Sequence, residues 1–260
     1  MYQTCPKCGH QRQPGDTAPA EVCPACGLVF RKYLQTRAGV PPRADSPVDD
    51  DSEQKRPSLL QRLAYVPEHV EPWRVYANAA LYAVSLYLGW QYYRMDIPDW
   101  EIGSTFLNTA ITPFHEFGHI LFRPFGEFMT NLGGSLAQLL LPLALLCLFS
   151  FKNRDNFTAS LMLWWMGTQF LCIAPYIYDA ETPTHILLTG RTGDSGAHDF
   201  IDVLGDLGWL YRGHRIAAIV HGVGLVVMLA AWAWGGWVLV RQFGRRGRRR
   251  KRTTYDAGVR

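Results

Sequence analysis

Residues Ile111 to Phe122 read ITPFHEFGHILF, and the fold turns on how this stretch is taken. His115-Glu116-Phe117-Gly118-His119 is an H-E-x-x-H motif. On a helix, positions four apart share one face. Both imidazoles can then reach one ion, while Glu116, a single residue on, can contact a water held there. Two His ligands with a Glu as base is the arrangement of zinc hydrolases. The motif lies in an apolar run, Ile102 to Phe122, of the length that spans a bilayer. In a soluble helix such a pattern recurs by chance, and a kinked packing helix with a polar stripe would account for it. Inside a span, His and Glu are costly and read first as functional. The stretch therefore predicts a metal site within a membrane domain.

A chain of 260 residues holds one large domain or two small ones. A mean hydropathy of −0.06 conceals polar ends, about Met1–Glu71 and Arg241–Arg260, around a very apolar middle. Five apolar segments approach the ~20 residues of a spanning helix: about Val75–Tyr92, Ile102–Phe122, Leu132–Phe151, Phe157–Tyr178 and Ile216–Val240. Trp73, Trp90, Tyr92, Tyr93, Trp100, Tyr176, Tyr178 and Trp237 cluster near their ends, as an interfacial belt does. The expected fold is mainly α, a polytopic membrane helical bundle. The opening Met1-Tyr2-Gln3-Thr4-Cys5 enters a cysteine knuckle and does not read as a secretory signal peptide.

Charge sets the expected orientation. Arg241–Arg252 holds eight Arg or Lys in twelve residues and predicts a cytoplasmic C-terminus. Lys55, Arg56, Arg62 and Arg74 predict a cytoplasmic N-terminus as well. Five crossings cannot satisfy both, so either one apolar segment is re-entrant or Phe200–Leu210 dips in as a sixth element. Partial insertion of this kind is tolerated where it lines a wet cavity. The formal net charge of +4 does not by itself suggest a nucleic-acid partner.

Cys5-Pro6-Lys7-Cys8-Gly9 and Cys23-Pro24-Ala25-Cys26-Gly27 are two C-P-x-C-G knuckles with fourteen residues between Cys8 and Cys23. The Gly after each pair lets amide N–H groups turn toward the thiolates, and four Cys give zinc a closed tetrahedral site. So small a unit hardly folds without its metal. A rubredoxin-like iron site is the alternative, although it usually spaces the knuckles further apart. The unit reads as a structural cap or a protein-docking module. Thr36 to Pro72, with six prolines and Asp49-Asp50-Asp51, reads as a disordered linker. Within it, Leu59–Tyr65 fits a surface-lying or solvated helix.

A catalytic zinc takes three protein ligands and a water, so a third must come from beyond the motif. The polar stretch Asp179–Arg215 holds the candidates. Asp199 is the first choice. His198 is a ligand or a partner orienting the carboxylate, and Asp194 is third. Capping of the next helix accounts for the two acids equally well. Pro113 frees a carbonyl one turn earlier, which Asn108, Thr109 and Thr112 can satisfy while admitting water. Asn131-Leu132-Gly133-Gly134-Ser135-Leu136-Ala137-Gln138 suits close helix packing; Asn131 or Gln138 could also hydrogen-bond an unwound substrate strand. Glu127 is a lesser ligand candidate, and His185 and His221 read as surface or packing residues.

On His115-Glu116-x-x-His119 in a span, the Gly133-Gly134 helix start and a downstream Asp, the chain resembles the site-2 protease group of intramembrane zinc metalloproteases, the M50-like peptidases. The resemblance covers roughly Ile102 to Leu210. It implies zinc held by His115, His119 and Asp199, with Glu116 activating water. It also implies a transmembrane or juxtamembrane substrate helix, locally unwound. The family's Leu-Asp-Gly element and PDZ-like insertion are absent, and its Gly-Pro-x-x-Asn element is only approximated by Gly133-Gly134-Ser135-Leu136-Ala137-Gln138. The expected organisation is a zinc ribbon at 1–35, a linker at 36–72, a transmembrane metal-binding domain at 73–241 and a basic cytoplasmic tail at 242–260. Two zinc ions are expected, one structural and one catalytic. The expected partners are the lipid bilayer, a membrane-protein substrate and a cytoplasmic protein at the ribbon. The expected location is the bacterial inner membrane, with ribbon and tail cytoplasmic. A non-catalytic adaptor working through its ribbon, or a haem protein using His119 and His221 as axial ligands, are the alternatives.

Overall fold

A computed structural model of the chain describes residues 3–13, 15–16, 18–30, 33, 58–99, 101, 105–187, 190–195 and 198–247. The chain divides into two compact units, Met1–Arg56 and Pro57–Arg260. Much of the expected linker, residues 34–57, lies outside the described residues, as do positions 248–260 of the basic tail.

In the first unit the two knuckles are built by the same hydrogen bonds. Gly9 N donates to Cys5 O and Gly27 N to Cys23 O, both at 2.9 Å. Cys5 N donates to His10 O and Cys23 N to Leu28 O. Each closing glycine has positive φ, 74° at Gly9 and 69° at Gly27, where a side chain would be strained. Antiparallel bridges, Thr4 with Gln11 and Val22 with Val29, brace the two turns. Phe30 packs beside the buried Cys5 and Cys23.

The second unit is helical, with no strand among the described residues. Its helices are α1 (Leu59–Leu63), α2 (Pro72–Arg94), α3 (Phe106–Phe122), α4 (Glu127–Cys147), α5 (Asn156–Asp179), α6 (Asp199–Asp206) and α7 (Gly213–Arg245). A capping box of Ser58 and Gln61 starts α1. Beyond α1 the chain does not behave as a linker: Val66 and Val70 are buried, and the Arg245 guanidinium donates to the carbonyls of Val66 and Pro67.

Among the described residues, three stretches are long and apolar enough to cross a membrane: Glu127–Lys152, Asn156–Asp179 and Leu210–Arg245. The expected five are thus reduced to three, and the reasons lie in two helices. Val75–Tyr92 falls within α2, whose 23 residues are long enough, but Asn78, Ser85, Gln91 and the tyrosines dilute its apolarity. Ile102–Phe122 is shortened because Thr105 caps α3. That helix has 17 residues, below the ~20 a span needs. The element expected to dip inward at Phe200–Leu210 is the short helix α6.

The surface is turned inside out relative to a water-soluble bundle. Tyr76, Leu81, Tyr87 and Trp90 on α2 are exposed, as are Ile219, Val226, Leu229 and Val240 on α7. Asn78, Ser85, Gln138, Thr168, Gln169 and Gln242 are buried instead. Asn78 Nδ2 donates to Gln242 Oε1 across α2 and α7 at 2.9 Å. An apolar exterior over internally paired polar groups is what a lipid solvent selects.

Glycine pairs allow the tightest crossings. At α3 and α4, a Cβ on Gly118 would stand 2.2 Å from Gly133 O, and one on Gly133 would stand 2.7 Å from Gly118 O. At α5 and α7, Gly167 and Gly224 meet in the same manner. Such contacts bring backbones together where the hydrophobic effect cannot.

Candidate metal centre

The α3–α4 crossing fixes the first half of the site. His115 and His119 stand one turn apart on α3, with ring centroids 4.8 Å apart. Gly134 on α4 lies against both: a Cβ there would come within 2.6 Å of His115 Nε2 and 2.7 Å of His119 Nε2. The two Nε2 atoms therefore converge in a space kept open by the missing side chain.

Asp199 completes the group from α6. Its Oδ2 is 3.1 Å from His115 Nε2 and 3.4 Å from His119 Nε2, and the three ligand atoms all lie within 4.8 Å of one another. Helix α6 reaches this place because Phe200, Val203 and Leu204 form its buried stripe against Ile173, Ile177 and Ala217. Asn131 Nδ2 also ties α4 to Asp202 Oδ2 at 3.2 Å. Burial alone would raise the Asp199 carboxyl, but the His115 and His119 imidazoles beside it bring it down to about 2.

The proton positions bear on what this group can hold. His119 Nδ1 lies 2.8 Å from Thr130 O. A carbonyl only accepts, so Nδ1 donates, and in the neutral ring Nε2 presents a lone pair. That lone pair faces a carboxylate oxygen at 3.4 Å. Two acceptors face each other at this distance only with positive charge between them, either a second proton or a cation. Two imidazole nitrogens and a carboxylate oxygen form a donor set that suits zinc with a fourth position open. Bonds of about 2.0–2.1 Å in a tetrahedron put ligand atoms about 3.3 Å apart, close to the two separations observed. The residues thus fit a metal, and the Thr130 carbonyl supplies the outer partner that orients a ligating imidazole.

Glu116, the residue after His115, is exposed. The structure does not bring His198 into the group. As the N-cap of α6, its Nδ1 accepts from Phe200 N and Ile201 N at 3.2 and 3.3 Å, and its Nε2 faces Asp179 Oδ2 at 3.5 Å. Burial pushes the His198 imidazole toward its neutral form, against the pull of the Asp179 and Asp199 carboxylates. Asp194 is exposed and accepts from the Thr192 hydroxyl. Glu127 is exposed at the start of α4, and Gln138 is buried. His221 lines a separate cleft of about 520 Å³ with Asp96, Tyr178 and His214. Asp179 was expected at the start of the polar loop; it is instead the fully buried last residue of α5. Its place at the edge of an apolar run was the only signal for it in the sequence.

In the ribbon unit, Cys5, Cys8, Cys23 and Cys26 form a second group able to hold a metal ion. Cys5 Sγ is 3.7 Å from Cys26 Sγ, and Cys8 Sγ is 3.6 Å from Cys23 Sγ. A tetrahedron with Zn–S bonds of about 2.3 Å has edges of about 3.8 Å. Comparison with protein-family models, with curated proteins and with solved structures finds no match for this chain.

Proposed function

We propose that the protein is a membrane-embedded zinc metalloprotease, cleaving peptide bonds of transmembrane or juxtamembrane substrates at the His115–His119–Asp199 site. The observation that carries this reading is the meeting of three ligand atoms from two helices within 4.8 Å, beside an exposed Glu116 and on a unit with lipid-type surfaces. His115, His119 and Asp199 would hold the zinc, which would supply a Lewis acid to polarise a carbonyl and acidify water. Glu116 accepts the proton of the attacking water on its carboxylate and delivers it to the leaving amine nitrogen. His119 is held to one tautomer by Thr130 O, so its Nε2 stays available as a ligand. The substrate segment must unwind locally, because a helical peptide bond is shielded by its own hydrogen bonds.

Zinc is also the metal proposed for the four cysteines. The ribbon and the basic tail face the cytoplasm of a bacterial inner membrane in this reading. The ribbon serves protein docking, and the tail meets anionic lipid, a contact worth about 1 kcal/mol per charge near the surface.

Metal analysis of the detergent-purified full chain tests the proposal. Two zinc ions per chain are expected. One is lost in His115→Ala/His119→Ala and the other when the ribbon cysteines are changed. Glu116→Gln should keep both and lose cleavage of a single-span reporter. One zinc, lost only with the cysteines, would overturn the proposal and leave a ribbon-bearing membrane adaptor.

A further inference from the structure

We infer that Asp179 and His198, together with Tyr176, are positioning residues that hold the Asp199 carboxylate in place for a metal ion. This rests on the metal-site reading above. The last turn of α5 carries Tyr176 and Asp179, three residues apart and so on one face of the helix. The Tyr176 hydroxyl oxygen accepts the backbone N–H of Asp199 at 3.1 Å. The Tyr176 ring lies over the His198 imidazole, centroids 4.3 Å apart and planes inclined by 30°. One helix turn thereby grips residues 198 and 199 from both sides.

The pairing of Asp179 with His198 is specific to one proton arrangement. His198 Nδ1 accepts from two backbone amides, so the ring proton is on Nε2. That Nε2–H faces Asp179 Oδ2 at 3.5 Å, with both side chains fully buried; the contact falls short of hydrogen-bond geometry, and neither atom has a hydrogen-bond partner among the described residues. The other Asp179 oxygen accepts from Thr184 N and His185 N at 2.8 and 3.1 Å. A buried carboxylate at a helix C-terminus meets the wrong end of the helix dipole and loses its hydration. Its Oδ1 bonds to Thr184 and His185 account for the loop that follows α5, and Oδ2 is left to face the His198 imidazole. What it does is anchor the imidazole that caps α6, and α6 begins with Asp199. Partners one step removed from a metal ligand typically change metal affinity 10–100-fold when lost.

The test is a chelator-competition titration of Zn²⁺ on the full chain, with the ribbon site as internal reference. Asp179→Asn keeps an oxygen for Thr184 and His185 but sets an N–H against the His198 N–H. It is expected to weaken the helical-unit site about 10–100-fold and leave the ribbon site unchanged. His198→Ala should do the same. His198→Asn keeps an N-cap acceptor and should recover part of the loss. Wild-type affinity in well-folded Asp179→Asn and His198→Ala would overturn the inference alone. Parallel weakening at both sites would overturn it in favour of a general structural role. A wild-type chain holding only the ribbon metal would overturn the metalloprotease reading, and this inference with it.

Discussion

Among the described residues, two groups can hold a metal ion, and they are assembled differently. In the ribbon, four sulfurs come from two knuckles with the same internal hydrogen bonds, and every ligand is placed by its own turn. In the helical unit, His115 and His119 come from one turn of α3, but Asp199 stands 84 residues beyond His115. It arrives there through the packing of α6 on α5 and α7. The ribbon offers four soft donors, a set that would enclose an ion and leave no position free. The helical site offers three harder donors, one short of a tetrahedral set, and Glu116 follows His115 directly in the chain. A closed thiolate set is a folding device, and an open N,N,O set is a chemical one.

The largest expected effect breaks the ribbon half of the comparison. Replacing Cys5 or Cys23 with Ser should abolish metal binding there and unfold the unit, since structural zinc in such modules contributes on the order of 10 kcal/mol. Circular dichroism should show the helical unit unchanged. Next, Glu116→Gln should lower cleavage of a single-span reporter by about 10²–10⁴-fold while zinc content stays at wild type. Loss of metal in that variant would make Glu116 a ligand and not a base. Gly134→Ala should be smaller in effect. Its methyl group must displace the two imidazoles, and overpacking of this kind costs about 1–3 kcal/mol, read as roughly 5–150-fold weaker helical-unit zinc with the ribbon unaffected. Smallest, Asn131→Ala removes one exposed bond to Asp202 and should cost under about 1 kcal/mol, measured as a shift of the same zinc affinity by a few-fold.

The difference between the two groups also explains what could be read from sequence. Cys5-x-x-Cys8 and Cys23-x-x-Cys26 announce a site because turn geometry alone brings each pair together. His115 and His119 are legible because a helix places positions four apart on one face. For the third member Asp199 ranked first, ahead of His198 and Asp194, but no local rule excluded the other two. The backbone decides it: His198 is extended, at φ −132° and ψ 106°, so its side chain and that of Asp199 diverge. One turns back to cap α6, and the other enters the site. Asp179 and Tyr176 were not legible as partners of that loop, because their role depends on where the chain returns after it.

Segment counting shows the same division. Apolar length correctly marked Leu132–Phe151, Phe157–Tyr178 and Ile216–Val240 as lying in helices able to cross a membrane. It overcounted at Val75–Tyr92 and Ile102–Phe122, where polar residues and the Thr105 cap intervene. The sequence by itself determined the cysteine knuckles, the pairing of His115 with His119 and the helical, lipid-suited character of the three long apolar stretches, since each follows from local spacing and composition. Only the tertiary structure decided that Asp199 joins the histidines, that Gly134 leaves room for their nitrogens and that Asp179 anchors His198. Those contacts join residues far apart in the chain, and helix packing sets their distances where no local rule does.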